Sequence, residues 1–158
     1  AKFLLAHERS GIAGVARSKK AIERIKQIAS SEMSYGEPLI QDPAFQRKIA
    51  EAELELKALE YTELRTLAKD SSGKGPGPES SLLKIKGTDI QQSLTELAME
   101  AVGYYSNPHL GSILSNEFVG PDYAANVAGT YFNFRKASIY GGSNEIQRGI
   151  ISKMVLGL

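Results

Sequence analysis

The sequence predicts an all-α fold, an antiparallel four-helix bundle followed by a short extra C-terminal helix. Three observations predict it. Apolar residues recur at helical spacing along most of the chain, Gly- and Pro-rich breakers separate those runs, and no segment alternates convincingly as a strand. Long helices joined by short turns pack most simply as antiparallel neighbours.

The first helix is expected over residues 2–31, with Leu5, Ile12, Val15, Ile22, Ile25 and Ile28 on its apolar side. Tyr35-Gly36-Glu37-Pro38 then reverses the chain through its Gly and Pro. Asp42 followed by Pro43 is a helix start, with Asp as N-cap and Pro at the first helical position. The second helix carries Phe45, Ile49, Ala52, Leu56 and Leu59, stepping by four, three, four and three residues, which makes a seam toward other helices. Residues 71–78, Ser-Ser-Gly-Lys-Gly-Pro-Gly-Pro, sustain neither helix nor strand and read as a surface loop. A third helix begins near residues 78–81 and runs to about Val102, with Ile90, Leu94, Leu97 and Ala101 on one face. The chain is irregular over 103–121, a fourth helix is expected over 122–138, and a short fifth begins at Ser143 or Asn144 and carries Ile146, Ile150, Ile151 and Met154.

Composition narrows the function classes. With 158 residues, 42% hydrophobic and 23% charged, the chain reads as one soluble globular domain over 1–158. Nineteen basic against 18 acidic residues leave a net charge of +1, and basic runs such as Arg17-Ser18-Lys19-Lys20 are short and mixed. No nucleic-acid or anionic-membrane partner is expected, because both need a concentrated basic face. Cysteine is absent, which removes disulfides, thiolate nucleophiles and Cys-ligated metals; His7 and His109 lie too far apart to suggest a zinc site. No apolar run approaches the roughly 18 residues of a membrane span, and residues 1–6 are too short an apolar stretch for a signal peptide. The chain opens in helical pattern without a cap, as expected of a cut inside a larger protein.

The most specific stretch is C-terminal: Ile139-Tyr140-Gly141-Gly142-Ser143-Asn144-Glu145-Ile146-Gln147-Arg148-Gly149-Ile150-Ile151. It closely resembles the signature loop and helix that close the acyl-CoA dehydrogenase fold. The opening Leu4-Leu5-Ala6-His7-Glu8-Arg9-Ser10-Gly11-Ile12-Ala13 resembles the start of that family's C-terminal domain, and Tyr35-Gly36-Glu37-Pro38-Leu39 is similar to its aromatic turn after the first long helix. The three matches fall in the family's order across almost the whole chain; the middle helices match only in pattern.

The resemblance implies a longer protein with an N-terminal helical domain and a central β domain ahead of this bundle. It implies dehydrogenation of an acyl-CoA thioester, in which a carboxylate removes the α proton and FAD accepts the β hydrogen as hydride. Many members keep that carboxylate directly after the signature tyrosine, where this chain has Gly141. A minority branch carries it on the first helix, just before an arginine, and the matching residues are Glu8 as base and Arg9 as its orienting neighbour. The other reading of the Gly141 departure is a catalytically silent structural or assembly subunit paired with an active partner. Tyr35, Ser143 and Glu145 match cofactor contacts, with Tyr140, Gly141 and Gly142 at the substrate pocket; Ser143-Asn144-Glu145 also reads as ordinary helix capping. Glu32 replaces an arginine that often faces the FAD pyrophosphate, and residues 100–106 lack the family's glutamine and glycine pair. The resemblance further implies a homo-oligomer or heteromeric partner subunit, an electron-transfer flavoprotein as acceptor, and a cytoplasmic or, in a eukaryote, mitochondrial-matrix setting. The isolated fragment is expected to be inactive.

Overall fold

The computed structural model describes residues 13–71, 77–108 and 119–158. Helix α1 (Val15–Ser31) buries Val15, Ser18, Ile22, Ile25 and Ile28, a stripe about one turn apart at each step, with Ala29 beside its end. It ends where Glu32 turns extended and returns its N–H to the Ile28 carbonyl. The reversal that follows is a small hairpin: β1 (Met33–Ser34) pairs antiparallel with β2 (Glu37–Pro38), Met33 opposite Pro38. Tyr35 and Gly36 form its turn with φ of 51° and 88°, the primed geometry that suits a two-residue hairpin loop. The sequence contains no alternating run because two residues a side are too few to show one.

Helix α2 (Pro43–Ser71) begins where expected, after a single 3-10 turn over Leu39–Gln41. Asp42 Oδ1 accepts the N–H groups of Ala44 and Phe45, each at 2.8 Å, satisfying two of the four donors that a helix start leaves free. The seam Phe45, Ile49, Ala52, Leu56 and Leu59 is buried throughout. Helix α3 (Glu79–Val102) is the central element, packing against α1, α2 and the two shorter helices that follow it, Val127–Phe134 and Asn144–Ile151. Its Leu83, Ile90, Leu94, Leu97, Ala101 and Val102 join α1 and α2 in one core.

The segment 122–138, expected as one helix, is three pieces: a 3-10 turn (Asp122–Ala124), α4 (Val127–Phe134) and a second 3-10 turn (Arg135–Ser138). Side chains and carbonyls of α3 compete for the hydrogen bonds here. Gln92 Nε2 donates to the carbonyls of Phe134 and Arg135, and the Arg135 guanidinium reaches the Gln92 carbonyl, Thr95 Oγ1 and Glu96. Helix α5 (Asn144–Ile151) continues into a π turn (Ser152–Leu156). Its buried residues are Asn144 and Gln147, whereas Ile146 is 60% exposed and Met154, Val155 and Leu156 also face outward. Of the four apolar positions expected on that helix, Ile150 and Ile151 are half-buried, while Ile146 and Met154 face away from the bundle core. The all-α architecture is as the sequence predicts, with α5 appended to the bundle of α1–α4.

Candidate functional site

Five of the residues singled out in sequence, Tyr140, Gly141, Gly142, Ser143 and Glu145, lie on one loop and the first turn of α5. Gly141 and Gly142 have φ of 68° and 89°, left-handed backbone that L side chains disfavour. These two residues turn the chain so that Ser143 reaches the N-cap position, where its Oγ accepts the Ile146 N–H at 3.5 Å. Glu145 is in the first turn. Its carboxyl lies below the ordinary glutamate range, held there by its own backbone N–H and the Ser143 hydroxyl, with Arg148 and Lys84 assisting. Tyr140, Gly141 and Gly142 are exposed.

Beneath the loop is a polar cluster that the sequence reading missed. Lys84 on α3 is 0% exposed, and its Nζ donates to the Ser138 carbonyl at 2.9 Å and to Asn144 Oδ1 at 2.8 Å. Asn144 Nδ2 donates in turn to Asp89 Oδ1 at 3.3 Å. Burial pushes the Lys84 pKa down, opposed by Asp89 and Glu145. From the other side Gln147, also 0% exposed, donates its amide to the carbonyls of Gly141 and Gly142 at 3.2 and 3.4 Å. A Cβ on Gly142 would lie 2.7 Å from that amide nitrogen, so the glycine lets loop and helix close on each other. Lys84, Gly87, Thr88 and Gln91 follow at i, i+3, i+4 and i+7 and are all buried on one face of α3, a burial that a lysine does not signal in sequence.

The same face of α3 holds the start of α1. Gly87 lies directly against Ala13: a Cβ there would be 2.6 Å from Ala13 Cα. Gln91 Nε2 also donates to the Ala13 carbonyl at 3.3 Å. Lys84 and Gln91 are about 10 Å apart along the helix axis, so the chain entering α1 and the signature loop converge on two turns of α3. The sequence candidates Glu8 and Arg9, with His7 and His109, lie outside the described residues.

Tyr35 is not brought to this loop. It sits at the hairpin tip, 103% exposed, past the far end of α1 and about 25 Å from Ala13 by helix length. Near that end Tyr123 Oη donates to Glu32 Oε1 at 2.8 Å, and burial together with this carboxylate lifts the Tyr123 pKa to about 12. Glu32 is thus the acceptor for a tyrosine rather than a lone carboxylate. An apolar cleft of about 340 Å³ runs between α1, α3 and α4, lined by Ser18, Ile25, Leu94, Val127 and Phe134 among others, and no signature-loop residue lines it. Among the described residues no acidic, His or Cys cluster could hold a metal ion, and no helix is long and apolar enough to cross a membrane.

Comparison with known proteins places this helical bundle in a family. Residues 1–156 match the sequence model described as "Acyl-CoA dehydrogenase, C-terminal domain". The chain belongs to the acyl-CoA dehydrogenase family. It is 31% identical over 118 residues to acyl-CoA dehydrogenase IpdE1 of Mycobacterium tuberculosis (strain ATCC 25618 / H37Rv), covering 74% of this chain and 27% of that protein. Among solved structures it resembles butyryl-CoA dehydrogenase from Megasphaera elsdenii, with a TM-score of 0.75 at 19% identity over 96% of this chain and 37% of that one. It also resembles the ChsE4–ChsE5 complex from Mycobacterium tuberculosis, with a TM-score of 0.70 at 23% identity over 91% of this chain and 36% of that one. The chain therefore spans about a quarter of the length of its curated relative and just over a third of these structures.

Proposed function

We propose that residues 1–158 are the C-terminal domain of a longer flavin-dependent acyl-CoA dehydrogenase, and that Glu8 removes the α proton of the bound thioester. The observation that carries this reading is the convergence on α3. Ala13 is pinned on Gly87, and the loop containing Gly141 is pinned a turn away on Lys84. Glu8 is five residues from Ala13, within about 18 Å along even a fully extended chain. A base on the incoming segment and a side-chain-free position on the loop are two halves of one exchange: Gly141 leaves the space that a loop carboxylate occupies in other members.

FAD, when bound, supplies the acceptor for the β hydrogen. The residues here fit such a group. The glycine pair leaves backbone open to close approach, and Ser143 and Glu145 stand at the N-terminus of α5, where N–H groups favour phosphate or ribose oxygens. Tyr35, fully exposed at the other end of α1, would meet a different part of the cofactor or a neighbouring subunit's. Tyr140, Gly141 and Gly142 border the thioester, and Arg9 orients Glu8. The whole protein is a homo-oligomer or pairs with a second subunit, passes electrons to an electron-transfer flavoprotein, and works in the cytoplasm or mitochondrial matrix. By itself the 158-residue chain has no turnover, because most of the acyl-CoA site comes from domains outside it.

A second reading, a catalytically silent subunit beside an active partner, is favoured by Glu32. A carboxylate engaged by Tyr123 stands where a pyrophosphate-binding arginine is common, and similarity to the ChsE4–ChsE5 complex is in keeping with assembly from unlike chains. Glu8→Gln in the full protein separates the two. Rapid mixing with acyl-CoA should show flavin reduction slowed by about 10²- to 10⁴-fold, the usual contribution of a positioned base. An unchanged rate would remove Glu8 from the chemistry, whereas no flavin reduction in the unsubstituted protein would leave the silent-subunit reading.

A further inference from the structure

We infer that Lys84 is a positioning residue which, with Gln147, holds the loop over residues 139–143 in the shape that faces the cofactor; the cofactor-facing role rests on the function proposed above. A fully buried ammonium is costly unless its donors are satisfied, and an apolar side chain of the same length would fill the space without that cost. The two acceptors of Lys84 mark the ends of the loop: the Ser138 carbonyl at its entry and the Asn144 side chain at its exit. No carboxylate among the described residues lies within ion-pair distance of it; Asp89 is reached through Asn144. Its place beside the N-terminus of α5 is also the end where a helix dipole disfavours a cation. Stabilising α5 is therefore not what the charge does there, and fixing the loop accounts for both hydrogen bonds.

Gln147 closes the clamp from the opposite side. Gly141 and Gly142 bring no side chain to pack, so their carbonyl bonds to Gln147 are what define the middle of the loop. Among the described residues the Oε1 of the same amide has no hydrogen-bond partner. Together the two side chains tie entry, middle and exit of the loop to the helices beneath it.

The test uses Lys84→Met and Gln147→Met, each close in volume to the residue replaced, in the full protein. Hydrogen–deuterium exchange of peptides covering 139–147 should speed by at least about tenfold in both, while α2 exchanges as before. The FAD dissociation constant, read from flavin fluorescence, should rise by a similar factor. A merely structural role would accelerate exchange across the bundle rather than in the loop alone. If Lys84→Met does not fold, Gln147→Met decides, since it removes only the amide. Unchanged loop exchange, or unchanged FAD affinity in a folded variant with a loosened loop, overturns the inference. A wild-type protein that binds no FAD refutes the proposed function instead, and loop exchange still decides whether the clamp exists.

Discussion

Replacing Gly87 with alanine sets two effects of opposite sign against each other. Alanine is the better helix former by about 1 kcal/mol in a helix interior. Against that, the new Cβ would fall 2.6 Å from Ala13 Cα, 2.7 Å from its oxygen and 3.0 Å from its carbonyl carbon. Carbon atoms rest at about 3.5–4.0 Å, so α1 and α3 must part by nearly an ångström. All three contacts are backbone atoms, so no side-chain rotation relieves them. Overpacking of this kind costs about 1–3 kcal/mol, and parting the helices also strains the Gln91–Ala13 hydrogen bond, worth about 1 kcal/mol. The net expectation is a destabilisation of about 1–3 kcal/mol, or roughly 2–4 °C in Tm for each kcal/mol in a domain of this size. Urea unfolding followed by circular dichroism measures it. Gly149→Ala is the control: nothing lies within 4 Å of its added Cβ, and it should stabilise by about 0.5–1 kcal/mol. A Gly87→Ala protein as stable as the parent would refute the close approach and with it the pinning of Ala13.

Asp42→Ala removes the acceptor for the Ala44 and Phe45 N–H groups and should cost about 1 kcal/mol, with Asp42→Asn restoring most of it; thermal melts of the three proteins check this. Acid should weaken the fold by a calculable sign. Glu79 is held low chiefly by Lys69, Glu60 by Lys19 and Glu145 by its own N–H, so each contributes stability above the unfolded value of 4.5 that is lost as pH falls through its lower folded pKa. Glu63, raised by burial and by Glu60, acts in the opposite sense. Three lowered groups against one raised give a net loss below pH 4.5; melts at about pH 7 and about pH 3.5 should show it, reduced by salt.

Much of the bundle was legible because its signals are local. The Asp42–Pro43 start, the seam from Phe45 to Leu59 and the extent of α3 each follow from capping or periodicity within a single segment. What was not legible depends on distant partners. The break in 122–138 comes from hydrogen bonds between α3 and the end of α4, through Gln92 and Arg135, some forty residues apart. For α5, periodicity reveals an apolar face but not its direction, and Ile146 and Met154 turn out to face away from the core. Lys84 reads as surface in any charge count, since nothing in a linear sequence shows that Ser138 and Asn144 wait for it inside. The signature loop was located by resemblance, and the geometry adds what holds it. Glu8 and Arg9 lie outside the described residues, so their role rests on the resemblance and on the anchoring of Ala13.

The most direct measurement is an anaerobic visible spectrum of the full protein before and after addition of a panel of acyl-CoA thioesters. Bleaching of the oxidised flavin band by one class of thioester is the expected result, and the class that bleaches it names the substrate. A protein that purifies without flavin, or whose flavin no thioester bleaches, would contradict the dehydrogenase reading and point to a silent subunit awaiting its partner.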